Sequence, residues 1–180
     1  MKNFKIIDKN TEQEFWISRS VAVAVIIYFK DMNNNFFVLT EKRGKGCPDF
    51  VGYYCLPCGY VDWDETLEDA VIREVYEETG FMLTNRHKPK VIGIQSNPKD
   101  NKNQNITIRF EVEVHPEEII DAILNGKINL NTEKRGGEKD EVELFKIFKF
   151  PEDLNNLSHF AWNHNDLLKN WYYDKRNEKN

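Results

Sequence analysis

An α/β fold, with a mixed β-sheet held between helices, is predicted by three features of this chain. β-Branched, apolar runs recur along it, above all at 21–29 and 106–114. One stretch, 67–79, has helical periodicity between a cap pattern and a glycine. Turn-forming residues separate these segments. The length of 180 residues fits one domain, 1–180 with a core over about 15–172, better than two. An apolar share of 40% supplies that core without help from disulfides.

Taken in order, residues 1–14 are polar and read as a loose or edge segment. Residues 15–28 are largely apolar and β-branched, giving one or two buried strands. A turn at 31–35 returns the chain as a hairpin partner over 36–40. A loop punctuated by Gly and Pro spans 43–52 and leads to a short strand near 53–56. The helix over 67–79 begins with Thr66 and Asp69 in capping-box spacing and stops at Gly80. Strands follow at 91–95 and 106–114, the second alternating strictly through Ile106, Ile108, Phe110, Val112 and Val114. Pro116 opens a short helix that Gly126 ends. A charged loop at 131–140 precedes a strand at 142–150, and a last helix covers 157–173 with a frayed tail after Asp174.

Charge and cysteine usage exclude several function classes. Acidic residues outnumber basic ones, 30 to 25, for a net charge of −5. Such a chain has no global attraction for nucleic acid or anionic membrane, so any phosphate must be held by a few placed cations or a metal ion. Cys47, Cys55 and Cys58 form an odd set without four zinc ligands, and read as packed free thiols in a reducing compartment. The first residues lack a signal-peptide pattern, and the apolar run at 21–29 is too short to span a bilayer. A cytoplasmic enzyme is the expectation. His159 and His164, beside the last helix, read as packing or surface residues.

The chemistry concentrates at 59–81. On a helix, Glu74, Glu77 and Glu78 are related by i+3 and i+4 spacings and share one face, opposite Leu67, Ala70, Val71 and Val75. Converging carboxylates repel unless a cation joins them. Hard oxygen donors with no His or thiol among them select Mg²⁺ or Mn²⁺. Arg73, four residues before Glu77, can pair with it or orient a neighbour.

The segment GYVDWDETLEDAVIREVYEETGF resembles the Nudix box, G-x5-E-x7-R-E-U-x-E-E-x-G-U, with U a bulky apolar residue. Gly59, Glu65, Arg73, Glu74, Val75, Glu77, Glu78, Gly80 and Phe81 fill every specified position. With average residue usage such a match arises by chance on the order of once per billion starting positions. The element order extends the resemblance to about 15–172.

The resemblance implies a Nudix-type α/β/α sandwich and hydrolysis of a nucleoside diphosphate linked to a second group. It implies Glu74, Glu77 and Glu78 as metal ligands with the Gly59 carbonyl, and an Arg73–Glu65 salt bridge that holds the loop. One carboxylate would act as general base, with Glu141 a candidate from a later loop. Cys58 departs from the commonest form, which has a glycine there.

Arg43, then Arg109 and Arg19, are the candidates for gripping substrate phosphates. Tyr53, Tyr54, Tyr60 and Trp63 are candidates for stacking on a base. An ADP-ribose-like substrate is favoured over a normal or oxidised nucleoside triphosphate. The partner expected is a small-molecule nucleotide, not nucleic acid or membrane. Oligomeric state is left open, a homodimer included. The alternative is a non-catalytic nucleotide sensor on the same fold, which an intact box argues against.

Overall fold

The computed structural model describes residues 2–99, 104–128 and 141–178. The chain opens with β1 (Phe4–Ile7) and β2 (Glu14–Ile17), an antiparallel pair forming its own small sheet. Of the two readings of the polar start, loose or edge, the edge strand is the one found: β1 pairs only with β2, with Lys5 and Glu14 joined across the hairpin at 2.7 Å. The apolar run expected as one or two strands is two, β2 and β3 (Val21–Lys30).

β3 is the centre of the main sheet, and residues 22–28 are buried on both faces. β4 (Phe36–Arg43) pairs back on it, but only through Ile27–Lys30. β9 (Val142–Phe150) runs antiparallel along the whole opposite edge of β4. Hence β5 (Tyr54–Cys55), which pairs with Glu41 and Lys42, must occupy the edge of β4 that faces β3. β6 (Cys58–Tyr60) pairs with Ala22–Ala24 of β3 from the same side. The Pro57 carbonyl accepts the Val25 N–H at 2.9 Å. β3 and β4 therefore diverge, and residues 53–60 are wedged between them. On the other edge of β3 lie β8 (Ile106–Glu113), parallel to it, and β7 (Lys90–Gln95), antiparallel to β8.

Alternation along the strands sorts side chains to two helical layers. Val23, Val25, Ile27, Leu39, Ile108 and Phe110 meet Ala70, Val71 and Val75 of α1 (Leu67–Thr79) and Ile119 of α2 (Pro116–Leu124). Ile26, Tyr28, Phe36, Val38, Phe148 and Phe150 meet Leu167, Leu168, Trp171 and Tyr172 of α3 (His164–Asn177). The mixed sheet between helices is the architecture expected.

α1 has the expected limits. Thr66 Oγ1 accepts the Asp69 N–H at 3.1 Å, and the Asp69 carboxylate accepts the Thr66 N–H, closing the capping box. Gly80 ends the helix in the left-handed region at φ 71°, where it satisfies the Tyr76 carbonyl at no steric cost. The last helix differs from expectation. A 3₁₀ segment (Glu152–His159) comes first, and α3 begins only at His164 and continues to Asn177 rather than fraying at Asp174. Between them the chain leaves the helical path to reach the sheet. The Ala161 N–H donates to the Tyr54 carbonyl at 2.8 Å, and Trp162 takes φ 50°. The loop expected at 131–140 lies outside the described residues.

Phe148 is fully buried on the α3 side. Phe148→Ala is expected to cost about 3–5 kcal/mol in urea unfolding; a loss below about 1 kcal/mol would show that this layer does not hold the sheet.

Candidate active site

The wedge of residues 53–60 brings three elements beneath the C-terminal half of α1. Gly59, on β6 opposite Val23, shares that strand's α1-facing side. A Cβ built on Gly59 would land on the Glu74 carboxylate, so only glycine lets the helix and β6 approach this closely. One turn further along α1, the Glu78 carboxylate accepts the Cys58 N–H at 2.7 Å. The cysteine in place of a second glycine therefore serves through its backbone.

Arg73 organises the junction. Its Nε and Nη2 donate to the two oxygens of Glu65 at 3.0 and 2.6 Å, a bidentate fork. Nη2 also reaches the Tyr60 carbonyl at 2.9 Å, while Nη1 donates to Glu74 at 2.7 Å and to Glu77 at 3.1 Å. Glu65 in turn accepts the Asp62 N–H at 2.6 Å. One guanidinium thus joins β6, the following loop and α1. The hydrogen bonds from Arg73 hold Glu65 below the ordinary carboxylate range.

The three helix glutamates do not share one environment. Glu77 is exposed, whereas Glu74 is buried and Glu78 partly so. Burial raises Glu74 above the usual carboxylate range, with Arg73 opposing. Burial, then the neighbouring Glu41, Cys58 and Glu74 side chains, push Glu78 well up, with the Cys58 N–H opposing.

Glu41 is the residue that sequence reasoning missed. It continues the Leu39 stripe of β4, pairs with Cys55 of β5, and is only 1% exposed. Burial lifts its carboxyl to about 7, Glu74 and Glu141 adding to the rise and Cys55 and Arg43 opposing it. A carboxylate that extends an apolar strand face was the available signal.

The remaining candidates are spread more widely. Arg43 is buried, donates to the Asp49 carbonyl and carboxylate at 3.0 Å, and stacks on Trp162 at 4.6 Å. Arg109 stands on β8 opposite Ala24, on the side of the sheet away from α1. Arg19 is committed to the carbonyls of Gln104 and Asn105 ahead of β8. Glu141 is exposed, and its carbonyl accepts from Gly44 and Cys47. His164 is buried, accepts the Leu56 N–H, and is pushed down to about 3 by burial and by Arg109 and Arg43. It packs as a neutral imidazole.

Of the aromatic candidates, Tyr53 joins Phe50 and His159, and Tyr54 packs on Phe148 and Phe160. Tyr60 bonds Asn105, and Trp63 is largely exposed beside Phe15. The three cysteines are free thiols.

The donor set fits a hard divalent cation. It consists of carboxylates and a nearby backbone carbonyl, one buried carboxylate oxygen (Glu41 Oε2) has no partner, and Gly59 leaves Glu74 the room it occupies. Among the described residues no three Asp, Glu, His or Cys side chains are gathered closely enough to hold a metal ion, and Arg73 is bonded to both Glu74 and Glu77.

The NUDIX domain profile matches residues 19–168. An ADP-ribose pyrophosphatase of Methanocaldococcus jannaschii is 32% identical over 93% of this chain and 82% of that protein. A mutT/nudix family protein from Listeria innocua superposes with a TM-score of 0.64 at 24% identity, covering 88% of this chain and 95% of that one. The NUDIX domain of Shewanella oneidensis NrtR, solved with ADP ribose, gives 0.60 at 16% identity over 88% and 89%. The chain belongs to the Nudix family, and as an enzyme it is a Nudix hydrolase.

Gly59→Ala is expected to leave the circular dichroism spectrum unchanged while displacing Glu74. Its Mn²⁺ affinity, measured by calorimetry, should fall about 10- to 100-fold. Wild-type affinity in this variant would refute the close-approach role of Gly59.

Proposed function

We propose that this chain hydrolyses the diphosphate link of ADP-ribose or a closely similar ADP-linked compound, with Mg²⁺ or Mn²⁺ as cofactor. The observation that carries the reaction class is the carboxylate cluster in which Arg73 holds Glu74 beside Gly59 and the Cys58 N–H holds Glu78. The substrate class rests on the likeness to the M. jannaschii enzyme along nearly the whole chain.

In this reading Glu74, Glu78 and the Gly59 carbonyl hold the cation, and Glu77 is the exposed ligand nearest solvent. The cation would screen the diphosphate charge and acidify a bound water. Arg73 and Glu65 are positioning residues that keep the β6–α1 loop in place. The attacking water gives its proton to a carboxylate of the cluster or to Glu141. Water adds to one phosphorus and the bridging oxygen leaves with the other phosphate, giving AMP and ribose 5-phosphate. Arg43 is the cation assigned to substrate phosphates, exchanging the Asp49 carboxylate for them; Arg109, on the sheet face away from α1, is assigned none. Arg19, held by two carbonyls, is assigned to structure.

A second reading is favoured by one observation. The longer NrtR chain, of which 58% is matched here, was solved with a 27mer DNA, so this fold also occurs in a DNA-bound protein. The acidic charge of −5 favours the hydrolase.

The test is a hydrolysis assay over ADP-ribose, NADH, nucleotide sugars and normal or oxidised nucleoside triphosphates, with products identified by mass. Turnover of ADP-ribose is expected with Mg²⁺ and not with EDTA. Glu78→Gln should lower kcat at least about a hundredfold while remaining folded. Tight ADP-ribose binding without turnover would favour the sensor instead.

A further inference from the structure

Glu41 lies outside the helix motif, yet it is the most deeply buried carboxylate of the cluster, at 1% exposure. Its Oε1 accepts a weak hydrogen bond from the Cys55 thiol at 3.2 Å. Its Oε2 is the one buried side-chain nitrogen or oxygen among the described residues that has no hydrogen-bond partner. The groups acting on it are the Cys55 thiol, the carboxyls of Glu74, Glu78 and Glu141, and Arg43, whose guanidinium is engaged by Asp49 and Trp162. Among the described residues no cation lies within ion-pair distance of it; the ion pair of Arg43 goes to Asp49.

A carboxylate so placed opposes the stability of the fold. Buried polar atoms are nearly always paired, and buried charges more so. The same β4 face carries Leu39 two residues earlier, and an apolar residue at position 41 would continue the core without conflict. Conflicts of this kind mark functional positions, where a ligand resolves what the apo protein leaves open. Glu41 faces the α1 side of the sheet, where Glu74 and Glu78 come down, and its free oxygen is a hard donor of the kind they supply.

We propose that Glu41 is a further carboxylate of the divalent-cation centre, contributed by β4 from outside the helix motif. Its free Oε2 meets the cation directly or through one of the waters that Mg²⁺ retains. The inference rests on the metal-dependent reading above and adds a residue to it.

The experiment compares wild type with Glu41→Gln, which keeps an acceptor for Cys55 and nearly the same shape, and with Glu41→Asp, which keeps the charge on a shorter arm. Glu143→Gln, in the Lys42 surface pair, is the control. Mn²⁺ binding is followed by electron paramagnetic resonance, and melting is recorded in EDTA and with Mn²⁺. In EDTA, Glu41→Gln should melt at or above the wild-type temperature, because the buried side chain can no longer ionise. Its Mn²⁺ affinity should drop about 10- to 100-fold, and the melting gain on adding Mn²⁺ should shrink. Glu41→Asp should also bind Mn²⁺ less tightly, which serves if the Gln variant does not fold. Wild-type affinity in both variants, or a Gln variant several degrees less stable in EDTA, would overturn this inference and leave the hydrolase reading standing. Failure of the wild-type protein to bind Mn²⁺ would overturn both.

Discussion

The guanidinium of Arg73 is the interaction on which the site depends. It binds Glu65 through two oxygens, reaches the Tyr60 carbonyl, and still has Nη1 for Glu74 and Glu77. Without it, the loop from β6 to α1 would lose the ties through Glu65 and the Tyr60 carbonyl that join it to the helix. Because the pairing is bidentate, a lysine could not reproduce it. Arg73 also lies between carboxylates that would otherwise repel along the helix.

The sheet supplies the other half of the constraint. β3 and β4 share hydrogen bonds only near Ile27–Lys30, and beyond that point the chain at 53–60 fills the gap. A wedge of this kind places backbone N–H and C=O groups, Cys58 and Gly59 among them, inside the sheet rather than at its rim. It also explains why an acidic residue on β4 and two on α1 come near one another though far apart in the chain. The two apolar layers bear the stability of the fold, so the wedge can carry carboxylates that the core would reject.

Much of this was legible in the residues. Local signals carried α1 to its exact limits, since Thr66, Asp69 and Gly80 act through neighbours in sequence. The strict alternation at 106–114 marked β8, which ends at Glu113, for the same reason. What depended on distant partners was less legible. Residues 157–173 have a helical composition, but the Ala161–Tyr54 hydrogen bond pulls the chain out of it. The polar start forms a hairpin because β1 and β2 pair with each other. Glu74, Glu77 and Glu78 were correctly placed along one helix. Their differing burial followed from the wedge beneath, which no spacing rule reports. Glu41 escaped notice because its significance lies in what the third dimension brings to it.

The central claim is that Glu74 and Glu78 gather one divalent cation against Gly59. Anomalous diffraction from crystals soaked in Mn²⁺ tests it most directly. The account requires a peak bounded by the Glu74 and Glu78 carboxylates and the Gly59 carbonyl, with Arg73 still bound to Glu65. A peak elsewhere, or none at saturating Mn²⁺, would contradict it.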